Sequence, residues 1–194
     1  MLAEVGDALS RGRGFALLTG LPVADMSRAA AGIAFSGIGA HLGVRVTESH
    51  EGDYLGDVID RRDAADLRPY HNGGEFIMHR DPVDLVGLLC LRGARRGGES
   101  RIVSAGAVHN AILAEAPEEL APLYEGFPYG RLEADRGDTD LFTPYRIPVF
   151  RFGADGSFMS HYLPGPIERF FARDGLGPDH PAVRAVGIFK RLIW

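Results

Sequence analysis

Residues 78–92 read MHRDPVDLVGLLCLR, and this stretch decides how the rest of the chain is interpreted. An imidazole and a carboxylate, His79 and Asp81, stand two residues apart just before the apolar run at residues 85–91. On an extended backbone such side chains point to the same side, so both can converge on one ion at the mouth of a strand. The stretch therefore predicts a buried strand preceded by part of a 2-His-1-carboxylate metal site, which is typical of non-haem Fe(II).

The residues around this pair carry a wider pattern. GGES at residues 97–100 follows the apolar run, RPYHNGGE at residues 68–75 precedes the pair, and GFALLTGLP stands at residues 14–22. Together they resemble the TauD/TfdA family of Fe(II)- and 2-oxoglutarate-dependent oxygenases. In that family an H-T-D ligand pair leads into a buried strand and a G-G-E-[ST] turn follows. The resemblance covers most of the chain.

The resemblance implies roles for four residues. His79 and Asp81 would hold Fe(II), and 2-oxoglutarate would chelate the same ion. Ser100 stands where the family has a Thr or Ser that binds the 2-oxoglutarate carboxylate, although a hydroxyl after two glycines also suits a plain turn. Glu75 stands where related enzymes place a polar substrate contact. The implied partners are dioxygen and a small organic substrate, which is hydroxylated at a C–H bond.

Short strands interleaved with glycine turns and a few helices predict an α+β, mainly β fold, namely a distorted double-stranded β-helix, or jelly roll, with flanking helices. We expect a single, partial domain over residues 1–194. The predicted helices fall near residues 2–9, 25–42, 104–113, 167–172 and 183–192, with Ser27 and Ser104 as N-caps. Further strands are predicted at residues 15–18, 53–60, 101–103, 127–132, 147–152 and 157–162, the last two joined by a turn at Asp155 and Gly156.

Composition limits the function classes. The chain has 194 residues, of which 45% are apolar and 24% charged, which suits one globular domain. A net charge of -5 argues against a nucleic-acid surface. Residues 1–10 lack the pattern of a signal peptide, no apolar run is long enough to span a membrane, and the single Cys90 is expected to be buried. These features predict a cytoplasmic protein without a membrane partner.

The third metal ligand is not evident. The family places a second His and a 2-oxoglutarate-binding Arg late in the chain, and nothing between Asp81 and Trp194 resembles that segment. Three interpretations follow: a piece of an oxygenase that has lost its last strands at the C-terminus, a shortened inactive homologue that serves as a binding or dimerisation module, or an enzyme that uses His161 as its distal ligand. A helical set of His71, Glu75 and His79 is disfavoured because two glycines interrupt it. A homodimer is expected if a sheet edge is uncovered.

Overall fold

The computed structural model describes residues 1–48, 52–59, 77–130 and 142–194, and the chain separates into two compact units. The first unit comprises residues 1–76 and 83–99, and the second comprises residues 77–82 and 100–194. The single domain over residues 1–194 stays a prediction. Across the described residues, no helix combines the length and apolarity needed to cross a membrane.

Two helices that contact each other form the framework of the first unit. They are α1 (Leu2–Ser10) and α2 (Arg28–Leu42), with a 3-10 turn at Val23–Asp25 between them. The Ser27 side chain accepts a hydrogen bond from the Ala30 N–H at 3.2 Å, which satisfies an amide that has no partner within the helix. The predicted start of α2 at this cap is thus confirmed.

The prediction of a buried strand over residues 85–91 is wrong. This run is irregular chain in the first unit, its Leu88 is 73% exposed, and Cys90 is also exposed rather than buried. The run passes across a helix, since a Cβ added to Gly87 would lie 3.0 Å from the Phe35 ring of α2. A strand requires a hydrogen-bonded neighbour, and the described part of this unit contains no strand with which the run could pair. The predicted strands at residues 15–18 and 53–59 are likewise irregular.

The second unit contains four helices and a hairpin. In chain order they are α3 (Ala105–Glu115), α4 (Leu120–Glu125), β1 (Phe150–Phe152), β2 (Phe158–Ser160), α5 (Pro164–Arg173) and α6 (Pro181–Leu192), with a 3-10 turn at Pro117–Glu119 before α4. Ser104 caps α3 by accepting a hydrogen bond from the Ala107 N–H at 3.3 Å, as predicted. The predicted helices near residues 167–172 and 183–192 are also confirmed.

The two strands pair antiparallel, with Phe150 opposite Ser160. Their connection is the predicted turn: Gly156 has φ +81°, and Asp155 Oδ1 accepts a hydrogen bond from the Ser157 N–H at 3.0 Å. The strands are shorter than predicted, and the described part of residues 127–132 makes only isolated bridges. Residues 101–103 are irregular. The described residues thus show one two-stranded sheet, and the double-stranded β-helix stays a prediction.

The core of the second unit lies where the helices meet the hairpin. Helices α3, α4 and α6 contact one another, and α3 and α4 also contact the strands. The largest fully buried side chains are Ile112, Leu123, Phe127, Val149, Phe150 and Ile167. This core holds the strands rigidly, and the chain following β2 in turn positions the site described below.

One ion pair of this core should contribute measurably to stability. Arg184 Nε donates to Glu119 Oε1 at 2.8 Å, and the Glu119 side chain is only 6% exposed. Arg184→Gln removes the charge that compensates a buried carboxylate, so the free energy of unfolding in urea should fall by about 1.5–3 kcal/mol. The matched control is Arg191→Gln on the same helix, which breaks an exposed pair with Glu115 and should cost less than about 1 kcal/mol. Equal losses for the two variants would contradict this role.

Candidate metal centre

The two residues of the H-x-D motif face each other. His79 Nε2 lies 3.5 Å from Asp81 Oδ1, and the two side chains are 22% and 46% exposed. Ligands held at right angles on bonds of about 2.1 Å are about 3 Å apart, so a small adjustment lets both atoms bind one ion. The partial exposure leaves one side of the pair open to other ligands.

A backbone carbonyl fixes the proton on the His79 ring. Nδ1 lies 2.7 Å from the Ile77 carbonyl oxygen, and because a carbonyl can only accept, Nδ1 must be the donor. In the neutral ring the lone pair is then on Nε2, which faces the Asp81 carboxylate. A metal ion between these two acceptor atoms would bind both of them. Orientation of a metal-binding imidazole by a carbonyl on its other nitrogen is common in metal sites.

The segment that carries the pair is attached to the end of the hairpin. The Arg80 N–H donates to the Tyr162 carbonyl at 2.9 Å, and Tyr162 follows β2 and is buried. The Arg80 side chain donates to the Asp81 carbonyl at 3.3 Å. These hydrogen bonds position the backbone from which His79 and Asp81 project.

A third ligand is not assembled in the part of the chain that the structure describes. No group of three His, Cys, Asp or Glu residues there could hold a metal ion. His161, the proposed distal ligand, is half-buried: its N–H donates to the Val149 carbonyl at 2.8 Å, and its ring lies 5.4 Å from the Tyr129 ring. Burial lowers the pKa of His161, and the nearby guanidinium groups of Arg80 and Arg151 lower it further. Within the described residues, His161 does not join His79 and Asp81 in a set of three ligands.

Of the other two predicted site residues, the structure describes only Ser100, and it does not join Ser100 to the pair. Ser100 is exposed on irregular chain after Gly97 and Gly98, whose φ angles of +74° and +82° account for the glycines of the turn. Among the described residues, no hydrogen bond links Ser100 to His79 or Asp81. Glu75 and the alternative ligand His71 lie outside the described residues.

Sequence reasoning missed the residues that support the site. The Ile77 carbonyl carries no sequence signal, because every residue has one. The anchor of Arg80 to Tyr162 joins positions 82 residues apart (162 - 80), which no local pattern indicates. Arg151 and Tyr129 beside His161 were also missed, although the predicted hairpin could have placed Arg151 and His161 on one face.

Comparison with known proteins identifies the family of the chain. The profile of the "Taurine catabolism dioxygenase TauD, TfdA family" matches residues 2–185. FR-33289 synthase of Streptomyces rubellomurinus (strain ATCC 31215) is 32% identical over 197 residues, which cover 97% of this chain and 56% of that protein. The chain thus spans about half the length of this relative. Members of the matched family are generally oxygenases that depend on Fe(II) and 2-oxoglutarate. The chain belongs to the TauD/TfdA family.

Proposed function

We propose that this protein is an Fe(II)- and 2-oxoglutarate-dependent dioxygenase that hydroxylates a small organic molecule at a C–H bond. The observation that carries the proposal is the placement of His79 Nε2 opposite Asp81 Oδ1 at 3.5 Å, with the proton of the ring held on Nδ1. Family membership supports the oxygenase class. The pair supplies one nitrogen and one carboxylate oxygen, the donor types that non-haem Fe(II) takes in a facial site.

The residues of this chain have separable tasks. His79 and Asp81 would hold Fe(II), and the Ile77 carbonyl keeps the imidazole in the tautomer that exposes Nε2. Bound Fe(II) with 2-oxoglutarate would supply the electrons that activate dioxygen for oxidation of an unactivated C–H bond. We assign Ser100 to the 2-oxoglutarate carboxylate and Glu75 to the substrate, as the resemblance implies. The cytoplasm, with its reducing conditions, suits the lone Cys90 thiol.

The names of the similar protein and of the family indicate the general class of the substrate, a small molecule. The similar protein is named as the synthase of FR-33289, and the family is named for the catabolism of taurine. A small-molecule substrate is common to both names. The chain covers 56% of the relative, so transfer of its activity to this chain belongs to the proposal.

A second function is favoured by one observation. The described residues provide a pair of ligands and no third, and they leave apolar side chains of residues 85–91 exposed. These features suit an inactive homologue that binds another protein or forms a homodimer. Light scattering tests the homodimer, because it measures the oligomeric state in solution.

The two functions are separated by anaerobic titration with Fe(II) and 2-oxoglutarate. For the oxygenase we expect the weak visible metal-to-ligand charge-transfer band of the iron chelate, saturating at one iron per chain. His79→Ala should abolish the band, because it removes the nitrogen ligand of the pair. A folded wild-type protein without the band would overturn the oxygenase proposal and favour the binding module.

A further inference from the structure

Two arginines and a histidine gather beside the hairpin on three neighbouring stretches of the second unit. Arg151 lies on β1, His161 directly follows β2, and Arg80 lies on the segment that pairs with the end of β2. The charges of both arginines act on the His161 ring. We call these three residues the cationic cluster.

The register of the hairpin places two members of the cluster on one face. Arg151 is opposite Met159. The hydrogen bond from the His161 N–H to the Val149 carbonyl extends the same pairing to the positions two residues away from these, Val149 and His161. Arg151 and His161 are therefore diagonal neighbours, whose Cβ atoms are about 7–8 Å apart in an antiparallel ladder. Arg80 is held next to them because its N–H donates to the carbonyl of Tyr162 at 2.9 Å.

The arginines of the cluster have no compensating acid within the described residues. The Arg80 guanidinium donates to a backbone carbonyl, and Arg151 Nη2 lies 3.5 Å from the Met159 sulfur. No carboxylate there forms an ion pair with either of them, whereas the arginines at positions 11, 28, 173, 184 and 191 all have one. Asp81, the adjacent acid in the sequence, faces His79 instead. Among the described residues, the positive charges of these two arginines are thus uncompensated, while the whole chain has a net charge of -5.

The His161 ring is held in place within this cluster. The Tyr129 hydroxyl donates to the His161 carbonyl at 3.2 Å, and the two rings are 5.4 Å apart. A fixed imidazole and two guanidinium groups provide several N–H donors, and charge-assisted hydrogen bonds to an oxyanion are among the strongest in proteins.

We propose that the cationic cluster of Arg80, Arg151 and His161 binds the oxyanion group of a small molecule, a carboxylate or a tetrahedral anion such as sulfate or phosphate. The cluster adjoins the metal pair through Arg80 but includes neither His79 nor Asp81, so it adds an anion site to the proposed oxygenase function. Two sources share this chemistry: 2-oxoglutarate with its carboxylates, and an anionic substituent on another small molecule.

The test uses metal-free protein, so that its result does not depend on whether the chain binds iron. Sodium sulfate is titrated while backbone amide signals of the hairpin are followed by NMR, and we expect saturable shifts centred on residues 151 and 161. Arg151→Gln should weaken sulfate binding about tenfold, since it removes a charged donor. The control Arg191→Gln removes the same charge on α6 and should leave the affinity unchanged. Arg80 is not substituted, because it lies between the proposed metal ligands.

A competition experiment with 2-oxoglutarate identifies which kind of molecule carries the bound oxyanion. If 2-oxoglutarate displaces sulfate from the wild type and binds about tenfold more weakly to Arg151→Gln, the cluster holds a carboxylate of the co-substrate. If 2-oxoglutarate does not compete, the cluster serves the anionic group of another molecule. Absence of saturable sulfate binding, or equal weakening by Arg151→Gln and Arg191→Gln, would overturn the proposal.

Discussion

Replacing Asp81 by alanine should weaken Fe(II) binding by more than about a hundredfold and remove the charge-transfer band with 2-oxoglutarate. The substitution leaves His79 Nε2 without the carboxylate oxygen that lies 3.5 Å from it. Loss of an outer partner of a metal ligand typically costs ten- to a hundredfold in affinity, and loss of a charged ligand should exceed that range. Anaerobic titration followed by visible absorption measures both effects.

Asp84→Ala is the matched control for this prediction. Asp84 is an exposed carboxylate three positions further along the chain, so its removal changes the net charge equally without touching the pair. It should bind Fe(II) like the wild type. If Asp81→Ala also binds like the wild type, His79 and Asp81 form an ordinary turn and the assignment of the metal centre fails.

The helices were predictable because their signals are local. Ser27 and Ser104 each accept a hydrogen bond from the N–H three residues on, so the cap and its donor lie within a few positions of sequence. The hairpin was predictable for the same reason, since Asp155 and Gly156 specify the turn by themselves. These elements require little information from distant parts of the chain.

The strand predictions failed because apolar character does not by itself specify a neighbouring strand to pair with. Residues 85–91 have the composition of a buried strand, yet Leu88 is 73% exposed and the run crosses α2 near Phe35. Whether such a run becomes a strand depends on a neighbour that supplies its hydrogen bonds, and that neighbour is distant in sequence.

The same distinction between local and distant signals applies to the candidate site. The pairing of His79 with Asp81 follows from a spacing of two, which sequence shows directly. The orientation of the pair depends on the Ile77 carbonyl and on the anchor of Arg80 to Tyr162, which only the fold reveals. A role for His161 in binding metal was suggested by its residue type, whereas its surroundings place it among cationic groups and beside Tyr129.

Phe150→Ala should produce the largest loss of stability in the second unit. Its side chain is 0% exposed, and its ring lies 5.3 Å from His109, 5.5 Å from Phe158 and 5.6 Å from Phe189. It thus joins β1 to α3, β2 and α6, and truncation leaves a cavity that these elements cannot easily close. We expect the free energy of unfolding to fall by about 3–5 kcal/mol in urea denaturation.

Phe152→Ala provides the comparison, because it removes the same side chain two positions away on the same face of β1. The Phe152 ring lies 5.3 Å from Phe158 and 6.5 Å from Tyr124, but it is 62% exposed, so its truncation should cost less than about 1 kcal/mol. Arg80 and Tyr162 are joined at the end of this hairpin, so the Phe150 variant should also weaken Fe(II) binding while the Phe152 variant should not. Similar unfolding free energies for the two variants would mean that the hairpin is not held by the core, and that the support it gives to the metal pair comes from elsewhere.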